Sequence, residues 1–170
     1  MNWMLRRAGE GDLDAIMAIE TATFQADAWS TESMRAELLS PHTYYLVAVR
    51  VDDPSAADDP SAVDGYAGLL APLGSGDADI QTIAVTASAR RHSLGRTLMR
   101  QLMTEAHQRG AARLFLDVRA DNPGAQSLYE ALGFEPIAIR AGYYQPDNVD
   151  AVVMRHTLAV PEPGLAGETS

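Results

Sequence analysis

The stretch IAVTASARRHSLGRTLM, Ile83 to Met99, gathers Arg90, Arg91, His92 and Arg96 inside a chain whose formal net charge is −10. An apolar, β-branched run from Ile83 through Ala84 to Val85 gives way, past Ser93, to a helical pattern that starts near Leu94. A strand that turns into a helix exposes the helix's first unpaired amides, and their partial positive charge favours an anion. Phosphate is the natural guest of such a junction, and neighbouring arginines add charge-assisted hydrogen bonds. Read from these residues alone, solvated arginines ahead of a surface helix remain the competing explanation.

Two further residue types can move protons. Asp117, in RLFLDV, is a carboxylate able to take a proton from an amine, and Tyr129, in LYEALGF, is a phenol able to give one to a leaving group. Each has a plainer reading. Strand alternation puts Phe115, Asp117 and Arg119 on one face, so Asp117 can simply pair with Arg119. A tyrosine between Leu128 and Leu132 is also an ordinary core residue with a satisfied hydroxyl. The chain has no cysteine, which excludes disulfides, thiolate zinc sites and a cysteine acyl-enzyme. His42, His92, His107 and His156 lie far apart without ligand spacing, and no metal is expected.

The elements that must position these groups follow from periodicity and punctuation. At 170 residues with 46% hydrophobic and 21% charged residues, the sequence suits one globular α/β domain, placed at 1–159. WMLRRA reads as a first strand. Asp12 is placed to cap a helix with Leu13, Ile16 and Met17 on one face, and Ser30 to cap a second. TYYLVAV and GYAGLLAPL are strands, and the segment 52–64 between them, with its doubled DDPSA, is expected to be a flexible acidic hairpin loop. DADIQTIAV precedes a long amphipathic helix with Leu94, Leu98, Leu102 and Ala106 on one face and Gly110 at its end. RLFLDV is a buried strand. DNPG supplies a cap and a first-turn proline for a helix ended by Gly133, and FEPIAIR and DAVVMRHTL are two last strands joined by AGYYQPDNV. Residues 160–170 are expected to be a disordered tail. The reading is a mixed central sheet of about seven strands with helices on both faces.

The acidic balance, with a pI near 4.7, argues against a nucleic-acid partner and suits a basic one. No apolar run approaches the ~18 residues of a spanning helix, and no signal-peptide pattern opens the chain, so neither membrane association nor export is expected and a cytoplasmic location is the default.

IAVTASARRHSLGRTLM resembles the acetyl-CoA motif of the Gcn5-related N-acetyltransferase (GNAT) superfamily, and LDVRADNPGAQSLYEALGF resembles the second motif of the same superfamily, in the same order and spacing. IETATFQADAWS and RAGYYQPDNVDAVVM look like the branch that acetylates protein N-termini, the bacterial ribosomal-protein alanine N-acetyltransferases in particular. The resemblance spans residues 3 to 158. It implies the GNAT fold, acetyl-CoA as co-substrate without a metal, and a basic protein or peptide N-terminus, a ribosomal protein's, as acceptor. By the same resemblance the backbone of Ile83, Ala84 and Val85 would hold the pantetheine arm, and a strand amide near Val85 would polarise the thioester. Amides from Arg91 through His92, Ser93, Leu94 and Gly95 to Arg96 would hold the pyrophosphate, with Arg90 also among the cofactor-binding residues. Asn122 would touch the cofactor, Tyr129 would face its sulfur as general acid, and Asp117 would stand where the branch often has a glutamate base. The acceptor would lie between two loops, Phe24 to Ser30 with Trp29, and Arg140 to Pro146 with Tyr143 and Tyr144.

Three positions depart from the superfamily pattern. Ser93 replaces the first motif glycine, Asp117 is one methylene shorter than glutamate, and Ala28 precedes Trp29 in place of a proline. Two other functions stay open on the sequence: acetylation of a small amine or a lysine side chain, and a non-catalytic acyl-CoA-binding module. A surface aromatic pair propping the last hairpin is the alternative reading of Tyr143 and Tyr144.

Overall fold

The computed structural model describes residues 2–51 and 62–158. Its elements run β1 (Trp3–Arg7), α1 (Leu13–Phe24), α2 (Thr31–Leu39), β2 (Thr43–Arg50), β3 (Val63–Leu70), β4 (Asp77–Val85), α3 (Leu94–Gln108), β5 (Arg113–Arg119), α4 (Pro123–Ala131), β6 (Glu135–Tyr144) and β7 (Val149–Thr157). The seven strands form one sheet in the order β1-β2-β3-β4-β5-β7-β6. All neighbours pair antiparallel except β4 and β5, which are parallel.

Alternation along the central strands sends side chains to two cores. Leu46, Ala48, Ala67 and Leu69 pack under α3 residues Leu94, Leu98, Met99 and Leu102 on one face. Tyr45, Val47, Val49 and Tyr66 meet α1 residues Leu13, Ile16 and Ile19 and Met34 of α2 on the other. The sheet is therefore covered on both faces over its first half. At the far end β6 is an edge strand whose residues are nearly all exposed, Ile137 and Ile139 among them.

Local signals set most boundaries. Ser30 Oγ accepts from Ser33 N at 3.1 Å, and Asn122 Oδ1 accepts from Ala125 N at 3.1 Å ahead of Pro123, so both expected caps form. Gly110 and Gly133 take φ of +89° and +97°, ending α3 and α4. Three expectations need correction. Asp12 makes no cap bond to α1, because a 3-10 turn (Glu10–Asp12) precedes the helix and the carboxylate takes two bonds from Arg6 and one from Gly9 N. Of the expected loop 52–64, Val63 and Asp64 belong to β3, Val63 facing Val49, while 52–61 lie outside the described residues, as does the expected tail. Ala141 to Tyr144 belong to β6 rather than to a connecting loop.

Gly68 stands opposite Tyr45 across β2 and β3, and a Cβ on it would lie 2.2 Å from the Tyr45 ring. Tyr45 is 2% exposed and has no room to retreat. Gly68→Ala should therefore cost about 1–3 kcal/mol in urea unfolding, the range for overpacking a well-filled core.

Candidate active site

The site begins where a parallel ladder stops. β4 and β5 pair through Asp77 with Arg113, Ala78 with Leu114 and Asp79 with Phe115, after which β4 runs on to Val85 and β5 to Arg119 without further pairing. Thr86 N donates to the Asp64 carbonyl at 2.8 Å, which fixes the alternation of the antiparallel ladder beside it. The backbone groups of Ala84 consequently face β3, while those of Ile83 and Val85 face the opening. The Val85 carbonyl there takes a bond from Arg90 Nε at 3.2 Å. Ala84 thus lines the opening but has no free backbone group to offer a ligand, a correction to its expected role.

At the wide end of the opening the chain enters α3 through a tight turn. Ser93 adopts φ 64° and ψ 15°, and Arg91 has φ 67°. The left-handed geometry that favours glycine is thus kept with a serine in place, at about 1 kcal/mol of strain. The Ser93 hydroxyl makes no cap bond, so the side chain does not offset that strain within the protein. The amides of Leu94, Gly95 and Arg96 form the first turn of α3, whose N–H groups have no intrahelical partner. A Cβ at Gly95 would meet only Leu128 Cδ2, at an ordinary 3.6 Å. Packing alone does not require glycine there; what the absent side chain leaves is bare backbone on the groove. Arg91 and Arg96 are exposed on the groove wall, whereas the Leu94 side chain is buried in the core and has only its amide to contribute. His92 does not line the groove; its ring lies 5.9 Å from that of Trp3. Asn122 lines it while capping α4.

Tyr129 is 8% exposed, meets the Phe134 ring edge-on at 6.1 Å, and lines the same groove. Burial pushes its phenol up to about 12. Its hydroxyl has no hydrogen-bond partner among the described residues. Asp117 is exposed on β5 and pairs with Arg140 Nε at 3.6 Å. The expected Asp117–Arg119 pair does not form, because Arg119 is drawn to carboxylates from elsewhere. It holds Asp27 at 2.5 Å, Asp121 at 3.0 Å and Asp147 at 3.4 Å, and lies 5.3 Å from the centre of the Tyr144 ring. Arg119 therefore ties the segment after α1 to the turn after β6. Asp79, beside Asp117, is pushed up by burial and by the charges of Asp117 and Asp77.

The groove, about 1160 Å³, is walled on its far side by Phe24, Trp29 and Tyr144. A second cavity of about 600 Å³ shares the wall of Asp27, Trp29, Asp117 and Tyr144 and adds Asp79, Arg140 and Tyr143. The structure thus brings together the expected residues on both sides of the opening, His92 excepted. The rings of Tyr143 and Tyr144 meet edge to face at 5.1 Å, with Tyr143 52% exposed at the mouth. Sequence reasoning placed Asp27 and Arg140 in the two acceptor loops without giving either a role, and it missed Asp79 and Arg119 as wall residues and Glu20 altogether. Glu20 had a signal: it lies seven residues after Leu13 and four after Ile16, on the apolar face of α1, where a carboxylate needs a reason.

The family model described as the acetyltransferase (GNAT) family matches residues 13–134. The chain belongs to that family. Over 148 residues this acetyltransferase is 35% identical to a Bacillus subtilis (strain 168) protein provisionally named a ribosomal protein bS18-alanine N-acetyltransferase, covering 86% of this chain and 90% of the relative. It is 32% identical over 131 residues to the N-alpha-acetyltransferase RimI of Mycobacterium tuberculosis, covering 76% and 75% of the two. The crystal structure of the ribosomal-protein-S18-alanine N-acetyltransferase from Escherichia coli aligns with a TM-score of 0.79 at 27% identity, over 95% of this chain and 97% of that one. The mixed seven-stranded sheet of the acetyltransferase is the fold of that structure. No helix among the described residues is long and apolar enough to cross a membrane.

Relief of the left-handed strain at Ser93 gives a direct test of the turn. Ser93→Gly should raise unfolding free energy by a few tenths to about 1 kcal/mol in urea titration. No gain, or a loss, would mean that the hydroxyl holds the turn by a contact other than a cap.

Proposed function

We propose that this acetyltransferase moves an acetyl group from acetyl-CoA to the α-amine of a protein N-terminus, that of a ribosomal protein. The observation that carries the reading is the hydroxyl of Tyr129, which has no hydrogen-bond partner among the described residues. It sits inside a groove that has free strand backbone and a helix N-terminus on one side and an aromatic wall on the other. The groove's chemistry fits acetyl-CoA along its length. The α3 amides with Arg91 and Arg96 suit a pyrophosphate, the backbone of Ile83 and Val85 suits the amides of a pantetheine arm, and the bare backbone at Gly95 allows close approach. When bound, acetyl-CoA supplies an activated acyl group as a thioester.

The protein's own groups then divide the work. A free amide of Ile83 or Val85 stabilises charge developing on the carbonyl oxygen. Tyr129, held near 12, keeps its proton throughout the neutral range and has it available for the departing thiolate. The amine must arrive unprotonated. An N-terminal amine has a pKa near ~8 and a lysine near ~10.4, and each unit costs ~1.4 kcal/mol. An α-amine therefore suits a site whose candidate base, Asp117, is exposed, short and already paired with Arg140. Asp117 acts through water, accepting the proton that the amine nitrogen sheds as it bonds to the thioester carbon.

The acceptor lies between Trp29 and the paired tyrosines, beside Asp27, Asp79, Asp117 and Asp147, which draw a basic peptide. The Bacillus subtilis, Mycobacterium tuberculosis and Escherichia coli relatives, named for alanine N-acetylation or N-alpha-acetylation, support the N-terminal acceptor. On this reading the protein works in the cytoplasm, and the reaction asks for no nucleic acid, membrane or metal. The non-catalytic alternative loses its support at Ser93, since the turn keeps the glycine geometry.

Tyr129→Phe should lower kcat by about 10²-fold while leaving acetyl-CoA affinity, measured by calorimetry, within about twofold. With wild-type turnover in that variant, Tyr129 would be packing only.

A peptide beginning Ala-Arg should be acetylated faster than the same peptide with a blocked N-terminus and an internal lysine. For the first, kcat/KM should rise with pH to about 8 as the amine loses its proton, then stay level to about 10 because Tyr129 is still protonated. Mass spectrometry showing preference for the blocked, lysine-bearing peptide would move the acceptor to a side chain.

A further inference from the structure

Glu20 is the most deeply buried carboxylate among the described residues, at 1% exposure, and it lies in the floor of the groove. Three elements converge on it. Its Oε1 accepts from Tyr66 OH of β3 and from Thr82 Oγ1 of β4, the latter at 3.0 Å. Its Oε2 accepts from the backbone N–H of Trp29 at 3.0 Å. Trp29 N–H is nine residues away, in the segment joining α1 to α2, so this bond is no helical cap. A carboxylate in such a place is costly unless its oxygens are matched by donors, and here each oxygen is.

We propose that Glu20 is the positioning residue of the acceptor wall: its carboxylate fixes the Trp29 backbone to β4 and so sets the width of the groove between aromatic wall and strand. The proposal rests on the reading that an amine acceptor sits against Trp29. Thr82 lies one residue before Ile83, on the strand whose free backbone faces the donor side. One carboxylate thereby sets the distance between the surface that holds the acceptor and the strand that holds the donor. A displacement of about 1 Å in such a distance is enough to cost about 10²-fold in rate. The same geometry argues that Glu20 is not the base. Both oxygens already accept hydrogen bonds from Trp29 N–H, Tyr66 and Thr82, so neither is left free to take a proton from an amine.

The amide side chain distinguishes these roles. In Glu20→Gln the carbonyl oxygen can still accept from Trp29 N–H, while the NH₂ donates to the Tyr66 and Thr82 hydroxyls, which reverse their roles. Glu20→Met has similar length and no acceptor. With an Ala-Arg peptide, Glu20→Met should raise peptide KM about 10-fold with acetyl-CoA affinity, by calorimetry, unchanged, and Glu20→Gln should recover most of that loss without altering the pH profile. Hydrogen exchange at the Trp29 amide supplies a readout independent of any substrate, slow in wild type and Glu20→Gln and at least 10-fold faster in Glu20→Met. A collapse of kcat in Glu20→Gln, or loss of the low-pH limb of its profile, would make Glu20 the base and overturn the proposal. Equal Trp29 exchange in wild type and Glu20→Met would overturn it too. Should Glu20→Met not fold, Glu20→Gln kinetics and exchange decide alone. Wild-type inactivity on the peptide would sink the N-terminal reading while leaving the exchange result to judge the pin.

Discussion

The structure depends on the early end of one parallel ladder. Three residue pairs join β4 to β5 before the strands part. Each strand beyond that point carries amides and carbonyls with no partner strand, and a buried polar group left without a partner costs about 1–3 kcal/mol. A protein can tolerate such a cleft only where something else supplies the missing bonds. The Arg90 guanidinium does so for the Val85 carbonyl, and the rest of the strand is left to solvent or to a ligand with amides of its own. The cleft is thus a half-finished sheet, and its chemistry follows from being unfinished.

Everything around the cleft acts to hold it open at a fixed width. α3 packs Leu94, Leu98 and Leu102 under β3 and β4, which sets its N-terminus against the wide end. Phe134 and the core around Tyr129 place a phenol on the opposite strand's side. The aromatic wall is held from both directions, by Arg119 through Asp27 and by Glu20 through the Trp29 amide. Arg119 is pulled toward full charge by its carboxylate partners, with Asp121 the foremost, and it remains a cation at any working pH. Two of its three carboxylates, Asp27 and Asp147, come from segments far from it in the chain, so it resists motion of one wall relative to the other.

Much of this was legible from residues alone, and the failures share a cause. The order of elements, the caps at Ser30 and Asn122 and the glycine stops at 110 and 133 depend on local chemistry, and they formed as read. Where distant partners decide, local rules failed. Asp12 suits a cap by type, but Arg6 and the Gly9 amide claim its oxygens. Asp64 looks like loop, but Trp3 Nε1 and Arg50 bind its carboxylate at 2.9 Å each, and pairing with β2 makes its surroundings a strand. Asp117 and Arg119 share a face of β5, yet Arg119 finds Asp27, 92 residues earlier in the chain. The two superfamily motifs located the groove; its walls needed the fold. Glu20 was readable in principle, since helical period puts it among Leu13 and Ile16, but nothing local names the amide it holds.

The edge strand β6 carries a different consequence. β6 is a ten-residue edge with exposed Ile137 and Ile139, the kind of surface on which foreign chains can add as extra strands and grow into aggregates. Its own irregularities work against that. Pro136 has no N–H to donate, and the pairing register slips between Pro136 and Ala138 and again between Arg140 and Tyr144, so the edge never offers a long regular row of bonds. Glu135 and Arg140 add charge along it. The crookedness of that end is what guards the uncovered edge against strand addition, and substitutions that straighten β6 would remove the guard.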